Sequence, residues 1–160
     1  MKTHLIKVKE ELYRIEIADL KGEVFCNFRY EQAYQLSHVV WKGFMRPEAI
    51  IEAYKYMGYF CGKHGYLVSR SITDCRLTDG SFYESNAWLL EDYTPRLIKR
   101  GFKYAAILPP QELAARISMD FYLEDARNMY IIKLAETYQE AYQWVIQQPF
   151  SLNPKPENVT

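Results

Sequence analysis

From residue 36 onward the apolar residues switch repeatedly between a period of about two and a period of about 3.6, and this alternation constrains the chain more than any other feature. Residues 36–44 carry Val39, Val40 and Trp41 in a β-rich run, after which Ile50, Tyr54, Met57, Cys61 and His64 recur at helical spacing. Gly43 and Pro47 bracket the change. Pro47 suits the first turn of a helix, Glu48 sits by the positive end of its dipole, and Gly65 suits a left-handed close. Residues 66–74 read as a central strand ending in Asp74, followed by a loop. Ser81-Phe82-Tyr83-Glu84 has capping-box spacing, and Ala87, Trp88, Glu91 and Pro95 share a helical face. Thr94-Pro95 either kinks this helix or starts a second segment capped by Thr94, and Gly101 ends it. A strand at 103–108, a third helix opened by Pro109-Pro110 and reaching about residue 129, and a strand at 130–135 follow. Thr137-Tyr138-Gln139-Glu140 repeats the capping-box spacing before a final helix with Ala141, Trp144 and Val145, stopped by Pro149.

Upstream, Val24, Cys26, Phe28 and Tyr30 alternate with Phe25, Asn27 and Arg29, so this run and 36–44 form an antiparallel hairpin across the polar residues 31–35. Residues 12–18 alternate Tyr13, Ile15 and Ile17 with Arg14 and Glu16, which suits a strand. Glu10, Glu11, Lys21 and Gly22 would also suit a short helix. The order predicts an α/β domain: a mixed, mostly parallel sheet of about five strands, covered by helices through right-handed crossovers and led by an antiparallel hairpin. Residues 1–148 form one domain, with 1–22 an N-terminal extension read as a strand and 149–160 a flexible tail.

Composition narrows the partners. Twenty Lys and Arg balance twenty Asp and Glu, so there is no excess positive field for nucleic acid or an anionic membrane surface. Cys26, Cys61 and Cys75 are odd in number and lack CxxC spacing, which reads as free thiols in a reducing compartment. With no signal-like start and no apolar run near the roughly 20 residues that span a bilayer, the expectation is a soluble cytoplasmic protein.

Four stretches in this order carry a resemblance: Val40-Trp41-Lys42-Gly43; Thr73-Asp74 followed by Trp88; Asp92-Tyr93-Thr94-Pro95-Arg96 with Gly101; and Glu140-Ala141 with Trp144. Together they are similar to the stand-alone SpoIIAA-like (STAS-like) domains of bacteria, over about residues 24–147. The resemblance implies the fold of that family and a non-enzymatic regulatory or protein-interaction role. The better-known relatives are anti-sigma-factor antagonists, switched by phosphorylation of a Ser in Asp-Ser-Ser-Gly at a helix start. Thr78-Asp79-Gly80-Ser81 departs from that pattern, and only Ser81 keeps both chemistry and place.

Ser81 therefore has two readings, a phosphoacceptor held by helix-start N–H groups and a plain helix cap with Glu84. Asp74, Asp79 and Arg96 are candidates for a crevice at the carboxyl end of the central strand, although an Asp in such a loop also fixes turns. His4, His38 and His64 lie in separate elements without metal-ligand spacing, and no Gly-rich phosphate loop follows a strand, so no metal and no cofactor is expected. Cys75 follows a strand end but no family signature supplies it with a base; no catalytic constellation is recognised.

Tyrosine is the unusual component, at fourteen residues. Ile50, Tyr54, Met57 and Cys61 fill the buried stripe of the first helix, which leaves Tyr56 and Tyr59 as a candidate interface with a protein partner or a second copy in a homodimer; the alternative is that they cover the core's rim. Trp41, Trp88 and Trp144 are expected largely in the core. The rival to a protein partner is a small apolar molecule or lipid. An apolar cavity under the third helix favours the ligand, and a flat tyrosine-rich face favours the partner.

Overall fold

The computed structural model of the chain describes residues 1–149. All but Pro149 of the expected tail thus lies outside the described residues. Among the described residues seven strands form one sheet in sequence order: β1 (Lys7–Glu10), β2 (Arg14–Ala18), β3 (Val24–Glu31), β4 (Leu36–Phe44), β5 (Arg70–Asp79), β6 (Tyr104–Leu108) and β7 (Ile131–Leu134). The three pairings from β1 to β4 are antiparallel and the three from β4 to β7 are parallel. The helices are α1 (Pro47–His64), α2 (Tyr83–Trp88), α3 (Thr94–Lys99), α4 (Leu113–Ala126) and α5 (Tyr138–Gln147), with a π-turn at Leu89–Tyr93 between α2 and α3. The predicted mixed α/β class and the β3–β4 hairpin are both present.

The strand count of about five becomes seven because residues 1–22 supply two strands. Residues 14–18 are strand rather than helix, and β1 pairs along them with Val8 opposite Ile17. Ile15 and Ile17 are fully buried and the residues between and beside them are not, which is the period-two signature of one buried face. β5 also corrects the reading: it starts at Arg70 and continues past Asp74 to Asp79, with an extra residue where Val40 pairs Asp74 but Lys42 pairs Leu77.

Helix ends follow local chemistry in some places and tertiary partners in others. Pro47 opens α1, and Gly65 closes it at φ 68° with its N–H on the Cys61 and Gly62 carbonyls. Thr137 caps α5, its Oγ1 accepting the Glu140 N–H at 3.1 Å. α4 begins at Leu113 rather than at Pro110, because Glu112 supplies the cap and accepts the Ala115 N–H at 2.8 Å. Thr94 is no cap. It continues the α2 rod in helical conformation, and Pro95, which has no N–H for the preceding turn, is accommodated by the wider π-turn.

Two cores result. The larger lies between one sheet face and α1 to α4 and includes Phe28, Trp41, Met57, Phe60 and Ile107. The smaller lies under α5 on the opposite face and joins Leu36, Ile72, Tyr104, Leu108 and Val145. Trp41 is buried, whereas Trp88 and Trp144 are only half-buried, at the edges of their helices.

Candidate functional site

The alternation that faces Phe28 and Val39 into the larger core also faces Ser37, Ser71 and Thr73 into it. Parallel pairing of β4 and β5 sets Ser37 beside Ser71 and Val39 beside Thr73. Small hydroxyls at inward positions leave room, and above them is a cavity of about 410 Å³. That volume lies in the range of small-molecule sites. Its other walls come from Met57 and Cys61 of α1, the π-turn with Leu89 and Tyr93, and Tyr122 of α4 with Tyr130. A smaller lobe of about 80 Å³ continues towards Trp41 and Met119, sharing Tyr54, Ser71, Thr73 and Tyr122.

The lining is chemically uniform. Arg100, at the edge, is the one charged residue among the described residues that line the main cavity; the rest are apolar, aromatic, glycine or hydroxyl side chains. Tyr54 and Tyr93 pack with ring centres 4.8 Å apart and planes inclined at 52°, and each also touches a tryptophan, Trp41 at 5.1 Å and Trp88 at 5.5 Å. Burial pushes the hydroxyls of Tyr54, Tyr93, Tyr122 and Tyr130 upward, so all four are neutral phenols near pH 7. Tyr122 and Tyr130 bond to each other. Ser37, Ser71, Thr73, Tyr54 and Tyr93 line the cavity, and their hydroxyls have no hydrogen-bond partner among the described residues. Such an arrangement can enclose a planar or apolar body and offer hydrogen bonds to a few polar atoms on it.

The sequence candidates do not converge. Asp74 holds Arg76 through both carboxylate oxygens, at 3.0 and 2.9 Å, and β5 carries Asp79 roughly 16 Å further along, at about 3.3 Å per residue. Arg96 pairs with Asp92 one turn back on α3 at 2.9 Å. The crevice is absent because β5 continues where a loop was expected. Ser81 does not build the capping box: α2 starts at Tyr83 without a side-chain cap. Ser118 of α4 takes both the Phe82 N–H and the Ser81 hydroxyl, each at 3.1 Å, leaving Ser81 to accept only the Tyr83 N–H at 3.3 Å. Tyr56 is buried and donates to Glu10 of β1, so it is not available as an interface; Tyr59 stays exposed. The N-terminal hairpin, read as a single strand, covers that side of α1.

Cys75 is a buried thiol, pushed up to about 12 by burial first and by the Asp74 charge second, which disfavours the thiolate a nucleophile needs. Among the described residues no group of three or more His, Cys, Asp or Glu could hold a metal ion, and no helix is long and apolar enough to cross a membrane. One polar cluster escaped the sequence reading. On the α5 side, buried His38 places Nε2 2.8 Å from Glu31, its Nδ1 bonds the Tyr138 hydroxyl, and Tyr142 donates to Glu31 at 2.6 Å. The β3–β4 alternation, which sends Arg29, Glu31 and His38 to one face, was the available signal.

No protein-family model matches the chain, and no curated protein matches it. A solved structure that matches is that of an uncharacterized protein from the DUF3478 family with a SpoIIAA-like fold, from Shewanella loihica PV-4. The two are 13% identical, with a TM-score of 0.43, over 91% of this chain and 98% of that one.

Proposed function

We propose that the protein is a non-enzymatic binding domain whose ligand is a small, largely apolar or aromatic molecule held in the cavity between the sheet and α1, α3 and α4. The observation that carries this reading is an aromatic-walled space of about 410 Å³ lined by five hydroxyl residues, Ser37, Ser71, Thr73, Tyr54 and Tyr93, whose hydroxyls have no partner among the described residues. Hydroxyls along an otherwise apolar wall supply the few polar contacts that orient a bound molecule. The lining offers neutral hydroxyls and rings, which is the chemistry of binding. A fluorescent neutral probe, N-phenyl-1-naphthylamine, tests it. The wild type is expected to bind and enhance its emission, and Thr73→Phe, which fills the floor, to abolish the signal while the far-ultraviolet spectrum is kept. Equal signals from both proteins would refute the reading.

A second reading, action through a protein partner or self-association, is favoured by the exposed stripe Leu113, Ile117 and Phe121 on α4, extended by the Tyr83 ring at 5.2 Å from Phe121. Residues at i, i+4 and i+8 form one helical face, and an exposed apolar row of this kind marks an interaction surface. Sedimentation of wild type and Ile117→Glu checks it. Loss of an oligomer in the variant supports the reading; a monomeric wild type that captures no partner from its host's lysate refutes it.

A further inference from the structure

We infer that the ligand of this cavity is an organic anion, its apolar body enclosed over the sheet and its charged head held by Arg100 at a mouth that Gly58 and Gly62 keep open between α1 and α3. The inference rests on the cavity reading above and adds the entrance and the charge of what enters.

The entrance follows from the two glycines. Both stand inside α1, four residues apart and so on one face, and both line the cavity as well as the groove between α1 and α3. A glycine in a helix interior costs about 1 kcal/mol relative to alanine. Crowding often explains such a cost, but here a Cβ at either position would meet nothing within 4 Å. Space, rather than close packing, is what these positions preserve.

The charge follows from the rim. Arg100, Lys55, Lys63 and Arg96 line the groove, and no carboxylate lines it or the cavity among the described residues. Asp92 takes Arg96 and Glu10 takes Lys63, at 2.9 and 2.7 Å. Lys55 lies 5.8 Å from the centre of the Trp88 ring, and neither it nor Arg100 has a carboxylate partner among the described residues. A chain with no net charge therefore concentrates positive potential at one opening, with Arg100 the cation that reaches both groove and cavity. A guanidinium there suits a carboxylate, sulfonate or phosphate group. A cationic ligand would meet no counter-charge.

Two probes with nearly the same body separate the claims: 1-anilinonaphthalene-8-sulfonate, an anion, and N-phenyl-1-naphthylamine, which lacks the sulfonate. Wild type is expected to bind both. Arg100→Gln should weaken the sulfonate roughly tenfold and leave the neutral probe within about twofold, while Arg100→Lys recovers most of the loss. Gly58→Leu, which fills the groove and favours the helix, should slow or abolish entry of both probes without lowering the thermal midpoint. If both probes bind and are blocked by Thr73→Phe but Arg100→Gln leaves their ratio unchanged, the anion inference is wrong and the cavity reading survives. If Gly58→Leu leaves binding untouched, the mouth is wrongly placed. Neither probe binding the wild type overturns both the inference and the reading beneath it.

Discussion

Tyr122 of α4 and Tyr130, the residue before β7, meet hydroxyl to hydroxyl at 2.6 Å in the wall of the cavity, and so tie the helix to the sheet through the site itself. Burial makes the bond matter to both hydroxyls, although that of Tyr122 also has the Thr94 hydroxyl beside it. Removing one of them, in Tyr130→Phe, forfeits the bond and is expected to cost about 1–2 kcal/mol. For a chain of this size that is a fall of roughly 2–8 °C in thermal midpoint, at about 2–4 °C per kcal/mol. Tyr122→Phe should cost a similar amount and the double variant less than the sum, since both remove the same bond. Additive midpoints in differential scanning would disprove the coupling.

The pair His38 and Glu31 makes stability depend on pH. Burial is the largest influence on His38 and holds its imidazolium below the ordinary 6.5, although the hydrogen bond to Glu31 pulls the other way. For Glu31 burial pushes upward, but hydrogen bonds from Tyr142 and His38 outweigh it and the carboxyl lies below the ordinary 4.5. The folded state thus takes up a proton on His38 less readily than the unfolded chain, and stability falls as pH drops below about 6.5. The Glu31 contribution is present above about 4.5 and is lost as pH falls through its lowered value. Denaturant midpoints measured from pH 8 to 5 should decline for wild type. His38→Gln should be weaker at pH 8 and flatter across that window. Parallel curves for the two proteins would show that another group titrates.

How far the sequence could be read depended on the distance over which each signal acts. Pro47, Gly65 and Thr137 end their helices through bonds within a few residues, and those ends are where the sequence placed them. Ser81 carries the same kind of local signal, but Ser118, distant in sequence and near in space, takes its hydroxyl and the neighbouring amide. β1 has only Lys7, Val8, Lys9 and Glu10, too short and polar a run to show a period; it exists because β2 offers an edge. The inward hydroxyls of Ser37, Ser71 and Thr73 were visible as period-two positions. That Ser37 lies beside Ser71 required the register of a parallel pair, which no local pattern supplies.

Gly80 offers a test in which backbone and side-chain effects separate. Its φ is +75°, and a Cβ there would lie 2.5 Å from the Phe44 ring. Phe44 is 71% exposed, so the ring can swing away and relieve the clash at little cost. The left-handed backbone has no such escape, and a β-carbon in it costs about 1–2 kcal/mol. Gly80→Ala should therefore lose about that much in urea unfolding. Gly80→Asn, whose side chain tolerates this conformation, should lose less despite its larger size. The reverse order would mean that the clash with the ring costs more than the backbone conformation.

The two tyrosines of α1 that were candidates for an interface differ in what holds them. Tyr56 donates to one carboxylate oxygen of Glu10, and Lys63 holds the other at 2.7 Å, so a strand-end acid bridges two helix residues. The Lys63 bond first and the Tyr56 bond second hold the Glu10 carboxyl below the ordinary 4.5. The stabilisation is present above that value and is lost as pH falls through the lowered one. Because Lys63 and Glu10 keep much of their side-chain surface in water, their ion pair is screened and contributes little. The Tyr56 side chain as a whole is buried, and there the energy resides. Tyr56→Phe should cost about 1 kcal/mol by losing the bond to the carboxylate, whereas Tyr56→Ala should cost about 3–5 kcal/mol through the cavity it leaves. Tyr59, exposed on the same helix, is expected to change stability by no more than about 0.5 kcal/mol in Tyr59→Glu. Chemical denaturation of the three variants orders them directly, and a Tyr59→Glu loss as large as that of Tyr56→Phe would mean that Tyr59, too, is covered in solution.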